Sequence, residues 1–350
     1  MKINGDNERI KVSASGEYDV VIGNNLLDNS GEYIKEVLPL CTLALITDDT
    51  VDSLYSKRVI TSLERAGYKT VKFVFSHGEK SKDFSTYEKI LNFLSKNELT
   101  RSDAIVALGG GVVGDISGFA AATFLRGIKY VQIPTTLLAQ IDSSVGGKTA
   151  IDLPSGKNLV GAFKQPSLVI CDVETLKTLP EDIYLDGMGE VAKYAVLDKK
   201  VYDLISKVEY DIKDLVYLCI DYKRKIVEAD EFENGVRKLL NLGHTVAHGV
   251  ELLSSYTVPH GKAVRIGLDI ILLSSYKHGY IDKECYDKIM KALLICSPSF
   301  ECEYSVKDIA NAALFDKKRS GDYITVVAVY GVGDCRQVKI KATELAEYLK

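Results

Sequence analysis

The 350-residue sequence has no run approaching the roughly 18 uninterrupted apolar residues of a membrane helix. Its most apolar segment, Asp103 to Leu125, is broken by five glycines and by Asp115. The first residues, Met1 to Lys11, are polar and lack the apolar core of a secretory signal. No Cys-x-x-Cys pair occurs, and the seven cysteines, at 41, 171, 219, 285, 296, 302 and 335, are odd in number and scattered. Such usage points to reduced thiols in a cytoplasm, each read as a small buried hydrophobe. Only Cys296 and Cys302 are close enough in sequence to suggest a bridge. A basic excess is also missing. With 44 basic against 48 acidic residues, a formal charge of −4 and a pI near 5.9, nucleic acid is disfavoured as a main partner and a local basic pocket is not. Internal repeats and low-complexity tracts are absent. Histidine is scarce, yet three of the five, His244, His248 and His260, fall within 17 residues.

What is present is an ordinary globular composition, 46% hydrophobic, long enough for about two domains. In the first half, Tyr18 to Ile22, Leu43 to Thr47, Thr70 to Phe75, Asp103 to Leu108, Tyr130 to Ile133 and Leu168 to Cys171 read as strands. Between them, Val51 to Ala66 and Phe84 to Lys96 carry apolar residues at helical spacing. Alternating strands and helices predict a mostly parallel sheet covered on both faces. After Leu179-Pro180 the pattern turns helical to about Leu314, with Pro180, Pro259 and Pro298 at boundaries. Tyr323 to Tyr330 and Arg336 to Ile340 read as a late hairpin.

Gly109-Gly110-Gly111-Val112-Val113-Gly114-Asp115 holds G-x-G-x-x-G spacing between a predicted strand and a predicted helix, the context of a dinucleotide phosphate loop. Residues without side chains let the backbone approach a pyrophosphate, and a helix start offers unpaired N–H groups to it. Asp142 to Thr149 ends Gly-Lys-Thr, but the first glycine of a triphosphate loop would fall at Ile141, which excludes an ATPase reading. This segment is expected to be a glycine-softened turn presenting Lys148, followed by a loop with Lys157 and Asn158, two lysines placed to hold anionic groups.

On a continuous helix, Arg237, Asn241, His244 and His248 would share one polar stripe among Leu239, Leu240, Val246, Val250 and Leu253. Histidines four apart can both ligate a metal, and catalytic zinc takes three protein ligands. Thr245 stands where a metalloprotease would need glutamate. Spacing leaves Glu190, Asp186, Glu228 and Glu251 as possible carboxylate ligands and does not choose the histidine left over.

Together these motifs resemble the 3-dehydroquinate synthase family. The match runs in order through Gly78-Glu79 with Lys82, Gly109 to Asp115, Pro134-Thr135-Thr136, Asp142 to Thr149, Gly156 to Phe163, Glu190 to Lys193, Arg237 to His248, His260-Gly261 and Asp316-Lys317-Lys318. The resemblance implies a Rossmann-like α/β NAD-binding domain over 1–179 and a mainly α-helical metal- and substrate-binding domain over 180–350. It further implies a homodimer with the active site between domains. It assigns Glu190, His244 and His260 to a divalent metal, zinc or cobalt, leaving His248 to handle protons or the leaving phosphate. Asp142, Lys148, Asn158, Lys193, Lys223, Arg237, Asn241 and Lys318 match substrate-contacting positions. His248, Lys148, Lys193, Lys223, Arg237 and Asn241 are expected to share in catalysis. Arg126 matches an arginine that reaches a neighbouring subunit's site.

For NAD the resemblance names Glu79, Lys82, Gly111, Val112, Val113, Gly114, Asp115, Thr135, Thr136, Lys148, Lys157, Thr175 and Thr178, with Asp48 for an adenosine ribose hydroxyl. The chain departs from the family's usual residues at Gly189, at Asp152-Leu153 and at Lys262, which is expected to place a positive charge near His260. The implied activity is a carbon–oxygen lyase of the shikimate pathway, serving chorismate and aromatic amino acid biosynthesis. It turns 3-deoxy-D-arabino-heptulosonate 7-phosphate into 3-dehydroquinate and phosphate by transient oxidation, phosphate β-elimination, reduction, ring opening and aldol closure. The rival readings are an NAD-consuming polyol dehydrogenase, a cyclase acting on another heptulose phosphate, and a non-catalytic NAD- and metal-binding sensor.

Overall fold

The computed structural model describes residues 7–207, 209–317 and 322–350. The chain forms two compact units, Met1–Leu179 with Lys223–Glu231, and Pro180–Tyr222 with Phe232–Lys350. A single cut after Leu179 leaves Lys223–Glu231 with the second unit, whereas they group with the first.

The first unit is built on strands β1 (Glu8–Ser13), β2 (Glu17–Gly23), β3 (Thr42–Asp48), β4 (Lys69–Phe75), β5 (Ala104–Gly109), β6 (Lys129–Pro134) and β9 (Leu168–Asp172). They form one sheet in the order β1-β2-β9-β6-β5-β3-β4, parallel except for β1 on β2. Period-two alternation sorts the core onto two faces. Leu43, Leu45, Val106, Leu108, Val131 and Ile133 pack with Ile34, Val59 and Leu63 of α1 (Ser30–Lys35) and α3 (Lys57–Arg65); α2 (Asp49–Val51) leads into α3. Ala44, Ile46, Ile105, Ala107 and Tyr130 pack with Ile90, Leu94, Ile116 and Phe119 of α4 (Phe84–Lys96) and α5 (Gly111–Thr123). All six residues of β5 are buried, as a strand covered on both faces requires.

The chain leaves β3 towards β4 on one side and β5 towards β6 on the other. The crevice at the ends of β3 and β5 is therefore the topological switch point, where open α/β sheets take ligands. Asp48 and Gly109 close those two strands.

Two segments not read as strands are strands here. Glu8–Ser13, which overlaps the polar stretch Met1 to Lys11, is an edge strand. The stretch from Lys148 to Phe163, read as a turn and loop, is an antiparallel hairpin of β7 (Lys148–Leu153) and β8 (Gly156–Phe163). Its tip is too rich in glycine, proline and lysine to show strand periodicity, and pairing rather than propensity holds it.

The second unit contains α6 (Glu181–Leu197), α7 (Lys199–Ile205), the first part of α8 (Ile212–Ala229), α9 (His244–Leu253), α10 (His260–Lys277), α11 (Lys283–Cys296), α12 (Val306–Lys317), α13 (Leu345–Tyr348) and the hairpin of β10 (Tyr323–Gly331) and β11 (Asp334–Lys341). Helix α10 packs on α6 and α9, and α9 on α12. Pro180 and Pro259 stand immediately before α6 and α10. The single helical stripe expected from Arg237 to His248 is not formed. Val236–Asn241 is a 3₁₀ turn, and Gly243 at φ +79° reverses the backbone so that α9 starts anew at His244. All seven cysteines are free thiols. The Cys296 and Cys302 thiols turn instead to the carbonyls of Ala292 and Tyr304. No helix among the described residues is long and apolar enough to cross a membrane.

Candidate metal centre and cofactor loop

In the second unit, Glu190, His244 and His260 lie with their ligand atoms all within 4.8 Å of one another. Helix α6 supplies Glu190, with Asp186 one turn before it and Lys193 three residues after. The main chains of α6 and α10 touch at Gly189 and Gly261: a Cβ on Gly189 would collide with the Gly261 carbonyl, and one on Gly261 with that of Asp186. This crossing sets Glu190 beside the first residue of α10, His260. Asp186 Oδ1 accepts the Gly261 N–H at 2.6 Å and the Lys262 N–H at 3.3 Å, so a carboxylate on α6 caps α10.

Both imidazoles present Nε2 to Glu190 Oε1, at 3.3 Å for His244 and 3.0 Å for His260. Their other nitrogens face acceptors: His244 Nδ1 lies 3.1 Å from the Leu242 carbonyl, and His260 Nδ1 lies 3.3 Å from Glu251 Oε1. A ring nitrogen held by an acceptor fixes the tautomer and aims the opposite nitrogen, as metal-binding histidines require. One buried carboxylate and two aimed imidazoles suit a divalent metal such as zinc. The four carboxylates left open by spacing take different places: Glu190 in the cluster, Glu251 behind His260, Asp186 on the α10 cap, and Glu228 in the first unit, accepting the Ser13 N–H at 2.8 Å.

Charge within the cluster is balanced internally. Lys193 Nζ lies 2.6 Å from Glu190 Oε2, and both side chains are only 2% exposed. Burial opposes ionisation of Glu190, but Lys193 and then His244 outweigh it and hold its pKa well below the usual carboxylate range. Burial likewise opposes a charged His260, yet Glu190 and Glu251 push its pKa up to about 10. The Lys262 ammonium lies over the Phe300 ring, 4.9 Å from its centroid. Its charge is thus directed at an aromatic face, a destination that the sequence reading did not foresee.

His248 is exposed one turn along α9, its ring centroid 5.7 Å from that of His244. Arg237 is buried, and Asn241 donates to Glu233 Oε1 at 2.6 Å. Glu233 was missed as a partner, and Glu251, read as one possible metal ligand, instead stands behind His260. Lys318 lies outside the described residues.

In the first unit, the glycine loop occupies the end of β5. Gly110 is the extended residue before α5, so Gly111, Val112 and Val113 open the helix with their N–H groups unmatched inside it, followed by Gly114 and Asp115. Buried Lys82 contacts Asp115 Oδ2 at 2.6 Å and Asn158 Oδ1 at 2.5 Å, with Glu79 Oε1 at 3.9 Å. Burial opposes its charge, but Asp115 and Glu79 outweigh it and raise its pKa. Thr135 follows β6, and its buried Oγ1 has no hydrogen-bond partner. An unpaired buried hydroxyl beside the switch point is what a bound polar cofactor would satisfy. Thr136 Oγ1 instead accepts the Ala139 N–H at 3.3 Å.

Asp48 accepts the Val51 N–H at 2.9 Å, capping the helical segment that follows. Thr175 and Thr178 donate to the carbonyls of Asp172 and Thr175 at 2.8 and 3.0 Å, so their hydroxyls are engaged within the fold. Lys223 Nζ meets Asp142 through both its backbone carbonyl and its carboxylate. Lys148 is exposed at the start of β7, and Lys157 and Asn158 lie on β8. Arg126 is exposed in a turn where Leu125 and Arg126 hold φ of +51° and +69°. Two successive left-handed residues without glycine cost about 1–3 kcal/mol each.

The profile described as 3-dehydroquinate synthase N-terminal matches residues 72–186, and that described as 3-dehydroquinate synthase C-terminal matches 187–319. A 3-dehydroquinate synthase of Streptococcus suis is 40% identical over 346 residues, covering 95% of this chain and 97% of its own. Among solved structures, a 2-deoxy-scyllo-inosose synthase in complex with carbaglucose-6-phosphate, NAD⁺ and Co²⁺ superposes with a TM-score of 0.86 at 23% identity, over 98% of this chain and 99% of its own. The 2-epi-5-epi-valiolone synthase of Streptomyces hygroscopicus, solved with NAD⁺ and Zn²⁺, gives 0.85 at 24% identity over 98% of each chain. At these identities the two structures speak for the fold.

Proposed function

The chain belongs to the 3-dehydroquinate synthase family, and on that premise we propose that it converts 3-deoxy-D-arabino-heptulosonate 7-phosphate to 3-dehydroquinate and phosphate. It is then a carbon–oxygen lyase of the shikimate pathway, working as a cytoplasmic homodimer. The observation that carries this reading is the Glu190–His244–His260 cluster, a buried carboxylate with two half-buried imidazoles and their two outer acceptors. When bound, NAD⁺ supplies a hydride acceptor and zinc or cobalt a Lewis acid for the alcohol being oxidised.

The chain's own residues supply position, charge and protons. Glu190, His244 and His260 hold the metal. Gly111 to Asp115, Lys82, Glu79, Thr135, Thr136 and Lys157 serve the dinucleotide, with the Thr135 hydroxyl as a donor still to be matched. Asp48, Thr175 and Thr178 serve it from the other strand ends. Lys148, Asn158, Asp142, Lys223, Lys193, Arg237 and Asn241 serve the hydroxyl, carboxylate and phosphate groups of the sugar acid. Lys318 joins them under the same reading, and Arg126 serves the partner protomer. His248, exposed beside the cluster, moves protons at its imidazole.

Phosphate release from the heptulosonate phosphate, followed with NAD⁺ and Zn²⁺ or Co²⁺ present, tests the proposal. Expected is one phosphate per substrate with no net change in NADH absorbance. Stoichiometric NADH formation would make the protein a polyol dehydrogenase. No release with both NAD⁺ and metal bound would make it a sensor.

A further inference from the structure

We propose that Asp152, to which none of the assignments above gives a role, is a positioning residue: its carboxylate pins the bulge of the β7–β8 hairpin that presents Lys157 and Asn158 beside Lys82. This rests on reading Lys82, Lys157 and Asn158 as cofactor and substrate contacts. Pairing in the hairpin runs regularly from Lys148↔Phe163 to Ile151↔Val160 and then jumps to Leu153↔Gly156. Lys157, Asn158 and Leu159 thus stand opposite Asp152 alone. A bulge re-aims side chains, but its extra residues lose their ladder bonds and need another anchor.

Asp152 is that anchor. Its Oδ1 accepts the Asn158 N–H at 2.8 Å, and its own N–H donates to the Lys82 carbonyl at 2.7 Å. The first bond holds Asn158 at φ +56°, a region that asparagine enters more readily than most residues. From there Asn158 Oδ1 accepts from Lys82 Nζ at 2.5 Å, and the same ammonium lies 2.6 Å from Asp115. One half-buried carboxylate therefore fixes the backbone of a predicted substrate contact and, through it, the ammonium beside the glycine loop. The same carboxylate also neighbours Glu79, so removing it frees the bulge and takes a hydrogen-bonding acidic neighbour from Glu79.

The test compares the full-length protein with Asp152→Ala and Asp152→Asn, since an amide oxygen can accept the same N–H. NAD⁺ affinity is measured by fluorescence titration without substrate, KM and kcat by phosphate release, amide exchange over 152–160 by mass spectrometry, and folding by the thermal midpoint. D152A is expected to raise the NAD⁺ Kd and the substrate KM about tenfold, the size of one charge-assisted hydrogen bond, while kcat and the midpoint hold. D152N is expected to stay within about threefold of the parent, since the bond is kept with a neutral acceptor. Unchanged Kd and KM in D152A, or a D152N as impaired as D152A, overturns the proposal. Should D152A fail to fold, Asp152→Ser takes its place, with a hydroxyl too short to reach and the same expectation. If the parent binds NAD⁺ but releases no phosphate, the catalytic reading fails, and the Kd and exchange data still decide the role of Asp152.

Discussion

Lys193 and Lys82 are each buried against a carboxylate at 2.6 Å, and these two pairs are built in opposite ways. Lys193 and Glu190 are three residues apart on α6, so the helix itself makes the pair. Lys82 meets Asp115 from a short 3₁₀ turn and Asn158 from a hairpin bulge, partners 33 and 76 positions away. The metal cluster thus rests on helix geometry and one backbone crossing, and the cofactor loop on side chains drawn together from separate connections. Damage to the first should be local and severe. Damage to the second should spread across several contacts and be milder at each.

The largest effect is expected where the cluster loses a ligand. His260→Ala should lower phosphate release about a thousandfold, the several kcal/mol that a Lewis acid contributes, with metal content falling in parallel by mass spectrometry. NAD⁺ affinity should remain, because the glycine loop is built separately. Next comes Lys82→Met, which leaves the partly buried Asp115 without its cation. It should cost about 3 kcal/mol in urea unfolding and weaken NAD⁺ binding in the same variant. A Lys82→Met variant that lost stability and kept its NAD⁺ affinity would erase the contrast between the two regions.

Gly261→Ala tests the crossing. A methyl there meets the Asp186 carbonyl, so the helices must part or strain, at about 2 kcal/mol in urea unfolding, and metal affinity should drop with stability. The mildest change is Glu251→Ala, which removes the acceptor behind His260 and should weaken Zn²⁺ affinity about tenfold in a competition titration. Glu251→Gln should recover most of that loss, since its amide oxygen can still face Nδ1.

This contrast also explains what the sequence revealed. Strands such as Leu43 to Thr47 and helices such as Phe84 to Lys96 were readable because burial on two sheet faces imposes period two and helical packing imposes i, i+3, i+7, which Tyr87, Ile90 and Leu94 follow. His244 and His248 were readable as a helical pair. Their alignment with Arg237 and Asn241 was not, because Gly243 interrupts the helix through one positive φ that glycine permits without announcing. The hairpin from Lys148 to Phe163 was invisible for a related reason. Its tip follows no periodicity, and its bulge is set by Asp152 reaching across to Asn158, a contact between a side chain and a distant main chain that no pattern rule encodes. The carboxylates around the histidines were visible as a group of four, but sorting them required the α6–α10 crossing. The glycine loop was legible as a strand-to-helix turn, and the sheet order adds what spacing does not, that β5 borders the switch point.

The close meeting of Gly189 and Gly261 carries one more consequence. Because main-chain atoms set the spacing of those helices, Glu190 and His260 are held side by side by the backbone itself, and under the proposed metal-binding reading an ion would ask little rearrangement of the polypeptide. Uptake should then proceed as a simple second-order encounter whose rate climbs in proportion to ion concentration, without the plateau that a slow opening of the scaffold would impose.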